Sequence, residues 1–226
     1  MSDTNRARLL PIYVLADESG SMNPYIDELN AGLRSLHAAL AVEPMASAKV
    51  RFSVLGFADD VEERLRMVDL RDVDTFPRLC TRGSTSYAAV FEDLLVRVPQ
   101  DVGALKAEGF QVHRPAVFFL SDGVPNDGDG WEGPYGRLTD KRVTPAAPNI
   151  IACGVGDADP HVIDAVATAH EFGFIADPDA DVGQAIARFC TSLTTSVIAS
   201  SRALDAADPR LTVDRPEHFT MAMDVI

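Results

Sequence analysis

Along this chain, short stretches that are apolar at nearly every position alternate with stretches whose apolar residues recur every three or four positions. The first run, Leu9 to Ala16, stops on Asp17. Ile26, Leu29, Leu33, Leu36 and Leu40 then mark one helical face. That helix closes before Pro44, because a proline pushes the residue ahead of it out of the helical region. In "KVRFSVLGFADDVEERLRMVDL", Val50, Phe52 and Val54 alternate with polar neighbours. A turn at Ala58-Asp59-Asp60 leads into a strand carrying Glu62, Glu63, Arg64 and Arg66, the composition of an edge strand protected against aggregation. Residues 71–83 read as loop, and Tyr87, Val90, Phe91, Leu94 and Val98 line a second helix.

"AVFFLSDG" and "NIIACGVG" are continuous apolar runs, which predicts central strands buried on both faces. The segment between them, "VPNDGDGWEGPYG", is rich in Gly, Pro and Asp and reads as loop. A short helix opening at Pro160 with Asp159 as its cap follows, then the short strand "FGFIA". Val182, Ile186, Phe189, Leu193 and Val197 support a terminal helix. The alternation predicts an α/β domain with a doubly wound, mostly parallel six-stranded sheet, one antiparallel edge strand and helices on both faces. Residues 1–7 are an N-terminal extension and 8–200 the domain. Periodicity fades after Ser200, so 201–226 read as a tail, draped on the domain or reserved for a partner.

Composition narrows the function classes. The 226 residues carry 20 basic and 34 acidic side chains, a formal charge of −14. That balance argues against nucleic acid or an anionic membrane as partner and is compatible with divalent cations or a basic protein face. Cys80, Cys153 and Cys190 are widely spaced and odd in number, so reduced thiols in a cytosol are expected. The first residues lack a secretory pattern, and no window reaches the roughly 18 apolar residues of a membrane span. A cytoplasmic protein is expected.

Three polar clusters fall where strands end or helices begin: Asp17-Glu18-Ser19-Gly20-Ser21, Arg82-Gly83-Ser84-Thr85-Ser86 and Ser121-Asp122-Gly123. Binding sites of a doubly wound sheet gather beyond the carboxyl ends of its strands. Each cluster alone also reads as a helix cap or a turn. Together, hydroxyls from two loops and carboxylates from the first and third make an all-oxygen set suited to a hard cation such as Mg²⁺ or Mn²⁺. Two protein charges and neutral hydroxyls would leave the ion electrophilic, with a position open to an exogenous carboxylate.

The D-x-S-x-S after the first strand, a Thr in a Gly-containing loop and S-D-G after a central strand resemble the metal-ion-dependent adhesion site (MIDAS) of von Willebrand factor A (VWA) domains, over about residues 8 to 198. "LPIYVLADESGSM", "VRFSVLGFADD" and "SLTTSVIASSRA" resemble the tellurite-resistance-associated, TerY-like VWA proteins of bacteria. The resemblance implies a Rossmann-like VWA fold and metal ligation by the Ser19 and Ser21 hydroxyls. Thr85 would bind directly or through water, while Asp17 and Asp122 would hold waters and supply counter-charge. It implies Mg²⁺, or Mn²⁺ or Ca²⁺ in its place, gripping an acidic side chain of a protein partner. It further implies a stress-response system with a PP2C-type phosphatase and a protein kinase as partners. Two positions depart from the common pattern. Glu18 would tighten the metal or face solvent, and Ser84 would cap a helix or crowd the site.

The rival chemistries lack parts. A dehalogenase-type phosphotransferase needs a second acid where Ser19 stands. A serine hydrolase needs a base, and none of the five histidines (His37, His113, His161, His170, His218) adjoins a strand-end motif. No phosphate-binding glycine loop is present. A metal-assisted phosphohydrolase at the same cation site is the alternative function. Asp127, Asp129 and Glu132 invite a calcium reading, but their spacing fails the EF-hand template. Trp131 reads either as an exposed contact or as folded back on the domain.

Overall fold

A computed structural model describes residues 6–204 and 210–224. The strands are β1 (Arg8–Asp17), β2 (Val50–Phe57), β3 (Val61–Val68), β4 (Gln111–Val112), β5 (Ala116–Ser121), β6 (Asn149–Gly154), β7 (Gly173–Ala176) and β8 (Phe219–Met221). They form one sheet in the order β3-β2-β1-β5-β6-β7-β8, with β4 against the start of β1. β2, β1, β5, β6 and β7 run parallel, and β3 and β8 close the two edges antiparallel. The six strands expected from the sequence are all present. β4 and β8 are additional, and β8 makes the second edge antiparallel as well.

Helices cover both faces: α1 (Ile26–Ala41), α2 (Pro44–Ser47), α3 (Tyr87–Ala107), α4 (Glu132–Thr139), α5 (Pro160–Val166) and α6 (Val182–Ala203). Side chains alternate across each strand, so β1 feeds two cores. Leu10, Ile12, Val14 and Ala16 pack beneath α1 and α6 with Leu29, Leu33, Ile186 and Phe189. Tyr13 and Leu15 face the opposite side, with Phe57, Phe91, Phe119 and Trp131. Fully burying each large apolar side chain contributes roughly 1.5–3 kcal/mol, and this two-sided burial fixes the strand register that places Asp17 at the sheet's rim.

The structure goes beyond the sequence reading in four places. α1 ends at Ala41, ahead of Pro44 as expected, and Pro44 then opens a second short helix, its missing N–H costing nothing in a first turn. α3 continues through Pro99 to Ala107. The Gly/Pro-rich loop contains α4: Pro134 sits in its first turn, and Trp131, Tyr135 and Leu138 pack it against α3. Trp131 is thus folded inward, its ring 6.2 Å from Tyr87 and 5.9 Å from Phe91. Lastly, α6 runs past residue 200, and part of the following segment lies along it. Ser200 Oγ accepts from Thr212 N at 2.9 Å, and Ser196 Oγ accepts from Asp214 N at 2.9 Å. Among the described residues no helix is long and apolar enough to cross a membrane.

Candidate metal centre

β1 and β5 are adjacent and parallel, so Asp17 at the end of one and Ser121-Asp122 at the end of the other emerge side by side. Asp17 turns toward β5. Its Oδ2 accepts from Ser121 Oγ at 2.6 Å, and its Oδ1 accepts from the backbone N–H of Ser19 at 2.8 Å. That second bond folds the loop back over the strand end and points the Ser19 and Ser21 hydroxyls at each other, 3.0 Å apart. Ser21 donates to Asp122 Oδ1 at 2.8 Å. Ser21 has one proton, so Ser19 is the donor in the serine pair. Asp17, Ser19, Ser21 and Asp122 are therefore one connected set.

Thr85 bonds to none of these four residues; its loop is held beside theirs. The loop between β3 and α3 is joined to the first loop by Gly20 N–H donating to Gly83 O at 3.1 Å. Its other flank is tied to the loop after β5, where Asn126 N–H donates to Thr85 O at 3.0 Å. Thr85 is buried between them. The polypeptide thus brings the three sequence clusters to one end of the sheet.

Electrostatically the site is deficient in positive charge. Asp17 is fully buried and Asp122 is 5% exposed, yet among the described residues neither forms an ion pair. Burial pushes the Asp17 carboxyl up to about 6; the donors from Ser121 and Ser19 offset part of this, and the nearby Asp122 charge adds to it. Burial also raises Asp122, against the pull of its bond from Ser21. Desolvation penalises an unpaired carboxylate, and a divalent cation between the two would remove that penalty. Three hydroxyls and two carboxylates with no sulfur or imidazole are the donors that Mg²⁺ or Mn²⁺ takes, at roughly 2.0–2.1 Å for Mg²⁺. The residues present fit a hard divalent cation. Among the described residues no group of three or more His, Cys, Asp or Glu could hold a metal ion, here or elsewhere, so this site rests on two carboxylates and its hydroxyls.

Several side chains differ from their sequence-based roles. Glu18 neither faces solvent nor joins the metal set. It is fully buried on the far side of the loop, against Arg64 and Arg82. Ser84 bonds to Asp59 and accepts from Asn126 at 3.0 Å, while Ser86 provides the α3 cap with a bond from Ala89 N–H at 3.2 Å. Ser19 and Ser21 cap no helix with their side chains; α1 starts only at Ile26. Asp129 accepts from Ser86 Oγ and Ala88 N, each at 2.7 Å, so it completes the start of α3 and belongs to no calcium loop. No histidine ring bonds to Ser19 or Ser21 among the described residues; His37, His170 and His218 are engaged with Leu70, Asp164 and Asp177. The reading of the motif missed Ser121 as the residue that orients Asp17, although it is the first letter of the S-D-G that marked the site.

Searches of family models and of curated proteins give no match. Solved structures do match. The proximal thread matrix protein 1 of the mussel byssus, solved with its MIDAS motif occupied by zinc, superposes with a TM-score of 0.59 at 14% identity, over 85% of this chain and 48% of that one. A von Willebrand factor type A structure from Catenulispora acidiphila gives 0.58 at 13% identity, over 84% and 43%. The manganese-loaded TRAP protein of Plasmodium vivax gives 0.50 at 17% identity, over 80% and 72%. This chain spans about half the length of the mussel protein. At these identities the likeness is one of architecture, and the chain has the Rossmann-like fold of a von Willebrand factor A domain.

Proposed function

We propose that this chain is a divalent-cation-dependent protein-interaction module whose strand-end site works as a MIDAS. Ser19, Ser21 and Thr85 supply hydroxyl ligands, and Asp17 and Asp122 supply counter-charge and hold waters. The observation that carries the reading is the buried pair Asp17 and Asp122, linked through Ser19 and Ser21 and left without a cationic side chain among the described residues. The bound cation supplies an open, electrophilic coordination position, and an acidic side chain of a partner is the group that fills it. This chain's own residues do the rest. Ser121 and the Ser19 N–H orient Asp17, Ser21 orients Asp122, and the packed loops keep bulk water from Asp17.

Mg²⁺ is the proposed physiological ion, with Mn²⁺ or Ca²⁺ able to replace it. The TerY-like resemblance of the sequence supports a bacterial, cytoplasmic stress-response setting of the tellurite-resistance type, with a PP2C-type phosphatase and a protein kinase as candidate partners. No catalytic role is assigned: among the described residues no histidine bonds to Ser19 or Ser21, and the carboxylate that Ser21 meets, Asp122, is assigned to the cation. The test is a pull-down on the immobilised protein with Mg²⁺ or EDTA. A partner released by EDTA and lost with Asp122→Ala supports the module; a partner retained under both conditions contradicts it.

A further inference from the structure

Glu18 occupies the variable second position of the D-x-S-x-S motif and is the most heavily bonded carboxylate near the site. Asp17 bonds toward β5 and the metal site, and Glu18 bonds the other way, toward β2, β3 and the loop that carries Thr85. Its oxygens accept from Arg64 Nη2 at 2.8 and 3.0 Å, from Arg82 Nε at 2.9 Å and from the Cys80 backbone N–H at 3.1 Å. Its own carbonyl accepts from Arg82 N–H, and its N–H donates to Phe57 O at 2.8 Å. The chamber exists because residue 56 is glycine: a Cβ there would stand 2.2 Å from Glu18 Oε2.

The loop thus clamped has no backbone ladder of its own and is placed by bonds from its neighbours, of which those to Glu18 are the charged and fully buried ones. Between the 3₁₀ turn Leu70–Asp72 and α3 it contains no helix or strand. Before Thr85, Asn30 brackets Leu79 through Leu79 N–H at 2.8 Å and Leu79 O at 3.0 Å, and Thr81 bonds to Asn23; around Thr85 itself, Gly20, Asp59 and Asn126 hold Gly83, Ser84 and Thr85. Cys80 and Arg82, the two residues fastened to Glu18, lie just ahead of Thr85. A carboxylate buried beside two arginines is a costly way merely to fill space, since such a pair is often no more stabilising than apolar residues of the same volume.

We propose that Glu18 is a positioning residue for the metal centre: by clamping the Cys80–Arg82 stretch it sets where Thr85 stands relative to Ser19, Ser21 and Asp122. The inference rests on the metal-site reading and deepens it, assigning to the variable motif position the task of bringing in the ligand loop.

The experiment is a double-mutant cycle on Mn²⁺ affinity with the full chain, using Glu18→Gln, Thr85→Ala and the double variant, each first shown to be folded by thermal melting in EDTA. Arg82→Gln serves as the second probe of the clamp should Glu18→Gln fail to fold. The expected result is at least a tenfold rise in the Mn²⁺ Kd for Glu18→Gln, about 1.4 kcal/mol. A comparable rise is expected for Thr85→Ala, with the double variant no weaker than Thr85→Ala alone. A purely structural effect would add to that of Thr85→Ala. An independent reading without metal is amide hydrogen exchange in EDTA, where Cys80 and Arg82 should lose protection in Glu18→Gln or Arg82→Gln. An unchanged Kd in the single variant, additive losses in the double one, or unaltered protection would overturn the proposal. A wild type that takes up no Mn²⁺ overturns the metal reading itself, and the exchange result then reports on the clamp separately.

Discussion

Asp17 and Glu18 are neighbours in sequence, both carboxylates and both fully buried, yet the fold treats them in opposite ways. Glu18 receives two guanidinium groups and a backbone N–H; Asp17 receives only a serine hydroxyl and a serine N–H. Burying an ionised carboxylate costs several kcal/mol unless charge and hydrogen bonds return it. Around Glu18 the chain supplies that compensation from Arg64 and Arg82. Around Asp17 it supplies only two neutral donors, and that deficit is what the proposed cation would answer. The difference lies in the partners, since burial and residue class are the same.

The comparison breaks most visibly at Glu18. Glu18→Ala leaves Arg64 and Arg82 facing an emptied chamber, and we expect a loss of about 3 kcal/mol in unfolding free energy. The loss should be equal in Mg²⁺ and EDTA once metal binding is subtracted, and denaturant titration measures it. A loss below the error of the method would show that the ion cluster is dispensable.

The Asp17 side is sharpened by pH. Its carboxyl sits at about 6 in the folded protein against 3.8 when free. Below about 4 it is protonated in both states. Between 4 and 6 the folded form keeps a proton that the unfolded form has lost. Stability in EDTA therefore falls as pH rises through that window, by on the order of 2–3 kcal/mol. Saturating Mg²⁺, which binds the ionised form, should flatten or reverse the trend. Melting curves across pH 4 to 7 with and without metal provide the check.

Removing the donor from Ser121 is a smaller perturbation. Ser121→Ala should cost about 1.5 kcal/mol at neutral pH, the usual range for a hydrogen bond to a charged group. It should also shift the pH-dependent step upward, because that donor pulls the Asp17 carboxyl down. Smallest of all, Asp17→Asn in EDTA below about pH 4, where the carboxyl is already protonated in both states, should change stability by less than about 1 kcal/mol, because one neutral group replaces another of the same shape. A loss as large as that of Glu18→Ala would mean the two carboxylates are not handled differently after all.

Much of this arrangement was legible before any coordinates. Continuous apolar runs marked the central strands, because a parallel strand covered on both faces has no polar side to show. The D-x-S-x-S and S-D-G motifs sit where such strands end, so their proximity follows from β1 and β5 pairing in parallel. The role of Glu18 was not legible: Arg64 and Arg82 lie 46 and 64 residues away in sequence, and nothing local separates a buried glutamate from an exposed one. α4 was hidden because Gly133, Pro134 and Gly136 lower its helical propensity, and only the packing of Trp131 and Tyr135 against Phe91 restores it. β8 is three residues long and is defined by its pairing with β7, so no periodicity could announce it.

The central claim is that a hard divalent cation answers the charge deficit at Asp17 and Asp122. Isothermal titration of Mg²⁺ and Mn²⁺ into the wild type and Asp17→Asn, in buffer containing acetate as a free carboxylate, tests it most directly. The account predicts one site per chain in the wild type and at least a hundredfold weaker binding in the variant, about 2.7 kcal/mol. No binding at millimolar metal, or equal binding by wild type and variant, would contradict it.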